Sequence, residues 1–460
     1  MNRDYIFHSY TKTMCSHCQR QVDGKIVYDS KGVYIIKNCL EHGEHKELLE
    51  EDVEYHLLKA KYDKPGTKST IQTQIKDDCP YDCGLCPSHD QHTCIGLIEI
   101  TMRCNLNCPV CYARAGKGKD LDMLTIEKMM DFYMEAEGGS AEILQISGGE
   151  PTLHPNILEI IKMAKGKGFK YVMLNTNGIR IAKDEDFVKA LSSFKGGFEV
   201  YLQFDGLKEE IYYKLRNQSM LEIKKKAIQN LSIHDVPTTL VCTVTQGVND
   251  NYLGEIITYG MDEKCIRGVN LQPVAFFGRT HELETKKRIT LSGILTRIEG
   301  QTAGLLKKLD FIPLPCNVER VAITYLFKDS SGGFVPITRG KDMSDYKHAV
   351  NNTFMFTVED TLKNLKDENI DFGICDCCDL VSDIKRVIPK GFIFKSKKEK
   401  MKFVDENTFR ISVSSFIDQY NFDMKSIQKD CVHVITPDLK RIPFSAYNMI
   451  HRKKYDYIYF

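Results

Sequence analysis

From Gly96 onward the chain alternates strand-like and helix-like segments, and this repetition constrains its fold more than any other feature. Gly96-Leu-Ile-Glu-Ile-Thr reads as a strand. Ile126 to Glu137 reads as a helix, with Ile126, Met129, Met130, Tyr133 and Met134 on one face, Thr125 as N-cap and Gly138-Gly139 as a stop. Further strands are predicted at Glu142–Ile146, Tyr171–Asn175, Phe198–Phe204, Thr239–Val244 and Gly268–Leu271. Helices are predicted at Asn156–Lys165, Glu185–Ser193, Met220–Ser232 and Asn251–Tyr259. Such alternation implies a parallel sheet with right-handed crossovers. The visible units are too few to close an eight-stranded barrel but enough for a partial, TIM-like (β/α)6 barrel. Functional residues should then lie at the C-terminal ends of the strands.

With 460 residues the chain can bury more than one core. The expected divisions are an N-terminal metal-binding module (1–75), a cysteine-rich segment (76–95), the α/β core (96–280) and an irregular α+β C-terminal region (281–460). Lys+Arg 63 against Asp+Glu 62 leaves a formal charge of +1, which gives no electrostatic reason to expect a nucleic-acid partner. No window approaches the apolar length of a membrane span, and the opening residues lack the apolar core of a signal peptide, so a cytoplasmic chain is expected. Peripheral contact with lipid head groups is open to Lys395, Lys397, Lys398, Lys400 and Lys402, and to the aromatic and basic stretch from His451 to Phe460.

Seventeen cysteines are many for such a chain, and ten of them lie between Cys15 and Cys111. A reducing compartment disfavours disulfides, which leaves metal sites as the main reason for the clustering. Cys104, Cys108 and Cys111 follow the first strand. Spaced by three and then two residues, they can ligate three irons of a [4Fe–4S] cube and leave the fourth open. An open iron can chelate the amino and carboxylate groups of S-adenosylmethionine (SAM).

Cys79, Cys83 and Cys86 repeat the same spacing upstream. Cys94 is a ready fourth ligand for them, so these four read as a fully coordinated auxiliary [4Fe–4S] site, with zinc as the alternative. His89 and His92 lie close by in sequence as supporting groups or surface residues. Cys15-Ser-His-Cys18 and Cys39-Leu-Glu-His42 form a two-knuckle pattern for a tetrahedral ion. Cys15, Cys18 and Cys39 are its ligands, and His42, His45 or His17 supplies the fourth. Zinc and a rubredoxin-like iron fit equally. In the last third, Cys316, Cys375, Cys377, Cys378 and Cys431 are candidates for a further cluster or for buried unligated thiols. Cys242 and Cys265 read as core residues.

Ser147-Gly148-Gly149-Glu150 ends the second strand, where the glycines would let the backbone approach a ligand and the carboxylate could accept from the SAM ammonium. Asn175, Gln203, Asp205 and Gln272 end later strands and could bind the ribose hydroxyls or the SAM carboxylate.

Together these motifs resemble the radical SAM superfamily over roughly residues 96–280. One departure is Val110, where many members carry an aromatic residue; Tyr112 follows the third cysteine instead. A narrower resemblance runs nearly the full length, to the tetraether lipid synthases and their bacterial relatives, a group earlier described as radical SAM pterin methylases. It rests on the segment Cys79–Cys94, on Cys104-Asn-Leu-Asn-Cys-Pro-Val-Cys-Tyr, on Gln272-Pro-Val-Ala-Phe-Phe-Gly-Arg279, on Pro313-Leu-Pro-Cys316 and on Phe416–Asp423. The closing stretch from Cys431 to Asn448 matches as well, except that the family implies a cysteine where this chain has Ser445. The resemblance implies one or two auxiliary clusters, one mononuclear iron or zinc, and a low-potential donor such as ferredoxin or flavodoxin. It also implies coupling of unactivated carbons at lipid chain ends into membrane-spanning lipids. The alternative is methylation or other modification of a small molecule such as a pterin. An apolar tunnel would favour lipid, and a compact polar pocket would favour the pterin.

Overall fold

The computed structural model describes residues 4–280, 283–285, 287–329, 331–340, 343–346, 352–354 and 406–460, with isolated positions 396, 399 and 403. Cys375, Cys377, Cys378 and Lys395 to Lys402, apart from residues 396 and 399, fall outside them.

The first fifty residues are more regular than their turn-rich composition suggests. Strands β1 (Ile6–Met14), β2 (Gln21–Asp29), β3 (Gly32–Cys39) and β4 (Gly43–Glu50) form an antiparallel sheet in chain order. Val27, Val33 and Ile35 turn inward and are wholly buried. So small a sheet has little core of its own, and a metal ion held by the candidate ligands at its β1–β2 and β3–β4 turns would staple it. Helix α1 (Val53–Lys59) follows, capped by Asp52.

The α/β repeat then unfolds as expected, in strands β5 (Ile95–Thr101), β6 (Ile143–Gly148), β7 (Tyr171–Thr176), β8 (Phe198–Gln203), β9 (Thr238–Val244) and β10 (Ile266–Pro273). These six are parallel neighbours in that order. The intervening helices are α2 (Met123–Ala136), α3 (Ile157–Lys167), α4 (Ile179–Lys183), α5 (Glu185–Ser192), α6 (Glu209–Arg216), α7 (Leu221–Ile233) and α8 (Leu253–Asp262). Asp122, not Thr125, caps α2: its carboxylate accepts the Thr125 N–H at 2.9 Å. Helices α4 and α6 have no counterpart among the expected elements.

The segment after Arg279 joins the same sheet. After α9 (Leu291–Gln301) come β11 (Ile312–Pro313), β12 (Val321–Lys328), β13 (Phe334–Pro336), β14 (Thr408–Ser414), β15 (Val432–Ile435) and β16 (Arg441–Pro443). Strand β14 pairs parallel with β10, and β15 pairs parallel with β5, so both edges of the six-stranded unit are extended. The two extensions also meet. Leu314, Cys316, Val321 and Ile323 from one end of the sheet pack with Cys94 and Cys431 from the other.

Successive strand residues point to opposite faces. Leu144, Ile146, Val172, Leu174, Val200 and Leu202 face the helices and are buried in the main core. The other face is polar: Gln145 and Ser147 on β6, Glu199, Tyr201 and Gln203 on β8, and Asn270 on β10. Two ion pairs with buried carboxylates stand on it, Glu99–Arg452 and Glu199–Arg410. The first ties the stretch from His451 to Phe460, a candidate by sequence for lipid contact, to the sheet. Arg452 donates to both oxygens of Glu99 at 2.7 and 3.1 Å, and Tyr459 Oη donates to Glu99 O at 3.0 Å, so this stretch is anchored on β5. An uncompensated Glu99 at that depth would be costly, and Arg452 is what neutralises it.

Candidate cofactor and metal sites

Cys104, Cys108 and Cys111 lie on the loop that leaves β5, and three other segments fix that loop. The Gly149 and Glu150 N–H groups donate to Thr101 O (2.7 Å) and Arg103 O (2.8 Å). A Cβ on Gly148 would come within 2.1 Å of Thr101 O, and one on Gly149 within 2.3 Å of Arg103 O. These glycines are therefore demanded by the cysteine loop's own backbone, a tighter reason than approach to a ligand. From the other side, Arg279 and Cys111 exchange backbone hydrogen bonds of 2.9 and 3.0 Å. The Arg279 guanidinium donates to Cys108 O (3.0 Å) and Ala115 O (2.8 Å). Third, Arg216 reaches Val110 O at 3.3 Å while gripping Asp205 with two bonds of 2.7 Å.

Glu150 and Asp205, candidate SAM-binding residues, are also engaged by the protein itself. Glu150 is buried, and its carboxylate accepts from Thr152 N and Oγ1, Thr176 Oγ1 and Asn177 N, tying the turn to the end of β7. Asp205 is occupied by Arg216 and the Thr243 N–H. Both carboxylates orient the loop. The buried Lys224 is a further cation close to both. Its Nζ donates to Asn177 O (2.6 Å) and Gln203 Oε1 (2.7 Å), both neutral, and burial lowers its pKa to about 7. Sequence reasoning missed Arg216, Lys224 and Arg279, since a lone basic residue on a helix or loop carries no local signature. Of the other expected residues, Ser147 and Asn175 are linked (Nδ2 to Oγ, 3.0 Å), Ser147 also meets Tyr112 Oη at 2.9 Å, and Gln272 is half-buried on the same polar face.

The three thiols are free and partly buried, and burial raises the pKa of Cys104 and Cys108. For Cys104 burial is the larger cause, carrying its thiol up to about 12. Ligation to iron removes that penalty, because the metal takes the thiolate form. The donor set and its braced loop fit a site-differentiated [4Fe–4S] cluster.

At the N-terminal sheet, Cys15, Cys18, Cys39 and His42 place their ligand atoms within 4.8 Å of one another. Cys18 Sγ to Cys39 Sγ is 3.9 Å, and His42 Nδ1 lies 3.4 and 3.7 Å from Cys39 Sγ and Cys15 Sγ. A tetrahedron with Zn–S about 2.3 Å and Zn–N about 2.0 Å has edges of about 3.8 and 3.5 Å. The fit is close, and the Cys3His set selects His42. His17 instead stacks on the His42 ring, and His45 packs against His17.

Cys94 is not grouped with Cys79, Cys83 and Cys86. Its N–H donates to Cys431 O at 2.9 Å, where β5 and β15 begin side by side, and its sulfur lies within 4.8 Å of those of Cys316 and Cys431. The strand pairing carries Cys94 to this second site at the seam of the sheet. Cys79, Cys83 and Cys86 line a separate pocket with Asp82, His89 and Pro443. His89 there is half-buried, its Nε2 3.1 Å from His433 Nε2.

Partial barrel, braced three-cysteine loop and polar strand ends together define a radical SAM enzyme. A family model described as the radical SAM superfamily matches residues 98–259, and the chain belongs to that superfamily. A second, described as the HMPTM N-terminal zinc ribbon domain, matches residues 7–51. Within the superfamily the chain belongs to the family of the 7,8-dihydro-6-hydroxymethylpterin dimethyltransferase of Methanocaldococcus jannaschii. The two are 34% identical over 479 residues, covering 96% of this chain and 94% of that protein. It is also 26% identical over 182 residues to the GTP 3′,8-cyclase of Alkaliphilus oremlandii, covering 38% of this chain and 56% of that one. Among solved structures it is similar to Streptococcus suis SuiB bound to S-adenosylmethionine, with 16% identity, TM-score 0.39, and 46% and 47% of the two chains covered. Among the described residues no helix is long and apolar enough to cross a membrane.

Proposed function

We propose that this chain modifies a compact polar substrate of the pterin type, methylation being the reaction that fits best, in place of the lipid coupling expected from sequence. The observation that carries the reading is the polar inner face of the sheet. Gln145, Asn175, Tyr201, Gln203, Thr243 and Gln272 offer hydrogen bonds to a heterocycle and little apolar surface to a lipid chain. The family relationship to a pterin dimethyltransferase points the same way.

A three-cysteine [4Fe–4S] cluster with SAM bound supplies, on one-electron reduction, a 5′-deoxyadenosyl radical that abstracts hydrogen from a C–H bond. The chain's own residues position that chemistry. Arg279 and Arg216 hold the cysteine loop, and Lys224 offers a cation to the SAM carboxylate. The Tyr112–Ser147–Asn175–Gln145 string of hydrogen bonds presents polar groups beneath the loop.

The test is anaerobic turnover of the reconstituted enzyme with SAM, dithionite and 7,8-dihydro-6-hydroxymethylpterin, read by mass spectrometry. A methylated pterin formed alongside 5′-deoxyadenosine is the expected result. SAM cleavage with the pterin untouched, together with lipid chains of doubled length in an expressing host, would return the assignment to lipid coupling.

A further inference from the structure

Lys37 is a buried lysine outside both the cysteine loop and the polar inner face. It lies on β3, two residues before Cys39, and its Nζ donates to three main-chain carbonyls: Met14 O at 3.0 Å, Gln419 O at 2.9 Å and Tyr420 O at 2.9 Å. An ammonium has three N–H donors, so this one is fully engaged there. Met14 directly precedes Cys15, so the ammonium touches the backbone of one knuckle while its own strand leads into the other. Its remaining acceptors belong to residues 419–420, far along the chain. The same sheet docks on that segment again, through Thr13 Oγ1 to Phe422 O at 2.6 Å and Thr11 Oγ1 to Asp423.

From Tyr420 the contacts run on to the cysteine loop. The Tyr420 N–H donates to Asp418 Oδ1 at 2.9 Å, and Asp418 Oδ2 accepts the Phe276 N–H at 2.8 Å. Arg288 neutralises Asp418 by donating to both oxygens at 2.7 Å, and its guanidinium lies 4.9 Å from the Phe276 ring centre. The Phe276 and Tyr420 rings meet edge to face at 5.7 Å. Phe276 stands three residues before Arg279, whose backbone exchanges hydrogen bonds with Cys111. Asp418, Phe276 and Arg288 are all buried, and close-packed groups of this kind pass a displacement on instead of absorbing it.

We infer that Lys37 is a positioning residue for the SAM-binding cluster. By fixing the carbonyls of Gln419 and Tyr420, it lets the N-terminal sheet brace, through Asp418 and Phe276, the Gly278–Arg279 clamp on the Cys104–Cys111 loop. The N-terminal sheet then serves the rigidity of the catalytic core and is more than an appendage to it. An apolar side chain at position 37 strips three carbonyls of their donor, and residues 418–420 must shift to find others. That shift reaches Phe276 through Asp418. The inference is independent of whether the substrate is a pterin or a lipid.

The experiment compares the reconstituted full-length wild type with Lys37→Met. Three measurements are made: SAM titration, the electron paramagnetic resonance spectrum of the reduced cluster with SAM bound, and hydrogen exchange followed by mass spectrometry. In Lys37→Met the affinity for SAM should fall about fivefold or more, the range of coupling between distant sites, with the N-terminal metal retained. The spectrum of the SAM-bound cluster should shift. Amide exchange should rise at residues 416–423, at 276–279 and in the loop 104–112, while strands β6 to β9 stay as protected as before. Lys37→Gln, whose amide keeps two of the three donors, should recover part of the affinity. A purely local role predicts faster exchange confined to residues 6–50 and 416–423, with the SAM affinity and cluster spectrum of the wild type. That result would overturn the inference. Should Lys37→Met not fold, Lys37→Gln decides alone: lowered SAM affinity with a shifted spectrum supports the brace, and wild-type values for both overturn it.

Discussion

Arg216 donates to both carboxylate oxygens of Asp205 at 2.7 Å, and both side chains are buried directly behind the cysteine loop. Asp205 is a candidate SAM-binding residue by sequence, and here it also anchors a cation that donates to Val110 O. Asp205→Ala leaves the guanidinium buried without its partner, so it should cost about 3–5 kcal/mol in denaturant unfolding. Lys224→Met removes the cation without leaving a charge behind. It should preserve stability and cluster content while weakening SAM binding about tenfold or more, measured by calorimetry on the reconstituted protein. Unchanged SAM affinity would remove Lys224 from the site.

Arg279 and Gly278 clamp the same loop from the far side. Gly278 has φ +71°, and a Cβ there would lie 2.4 Å from Cys111 O. Gly278→Ala and Arg279→Met should therefore each lose the iron of the Cys104–Cys111 cluster while keeping one zinc per chain. Hydrogen bonds from a charged donor are worth roughly 1.5–3 kcal/mol each, so Arg279→Lys should recover part of the cluster occupancy. Metal analysis and the spectrum of the SAM-bound cluster read the outcome.

The Cys3His ligand set predicts one zinc, not iron, at the N-terminal sheet. Cys39→Ser should release it and expose residues 6–50 to proteolysis, leaving SAM cleavage by the core measurable. A red, iron-containing site in the purified wild type would count against the zinc assignment.

His56 supplies a pH dependence away from the metal centres. Burial first, and then the charge of Lys59, lowers its pKa to about 4; His8 opposes protonation as well, while Glu50 and Glu319 favour it. Between pH 4 and 6.5 the unfolded chain therefore binds more protons than the folded one. Stability from this residue is fully present above pH 6.5 and is lost as pH falls through that window, by on the order of 3 kcal/mol. The difference between wild type and His56→Gln, followed by urea unfolding from pH 7 to pH 5, should show this slope in the wild type alone.

Much of the fold could be read directly from residue patterns. The strands from β5 to β10 and the helices α3, α5, α7 and α8 lie within a few residues of their expected places, because each buries a face whose period is written locally. The three-cysteine loop and the Cys15–Cys18–Cys39 site were legible for the same reason, since their ligands are set by short spacing. The four strands of the N-terminal sheet were not, being too dense in turn residues for their alternation to stand out.

What sequence alone determined was therefore the local chemistry: which cysteines can face one ion and which strands present polar ends. Tertiary structure decided how distant positions are grouped. Cys94 follows Cys86 closely in the chain, yet pairing of β5 with β15 delivers it to Cys431 and Cys316. Asp205 and Glu150, legible as polar strand ends, find Arg216 and the end of β7 only in the assembled fold. The inner face could be recognised as polar only once the strands were assembled into one sheet. Spacing encodes contacts within a turn or loop, whereas charge neutralisation and thiol grouping depend on strand order, which no local pattern states.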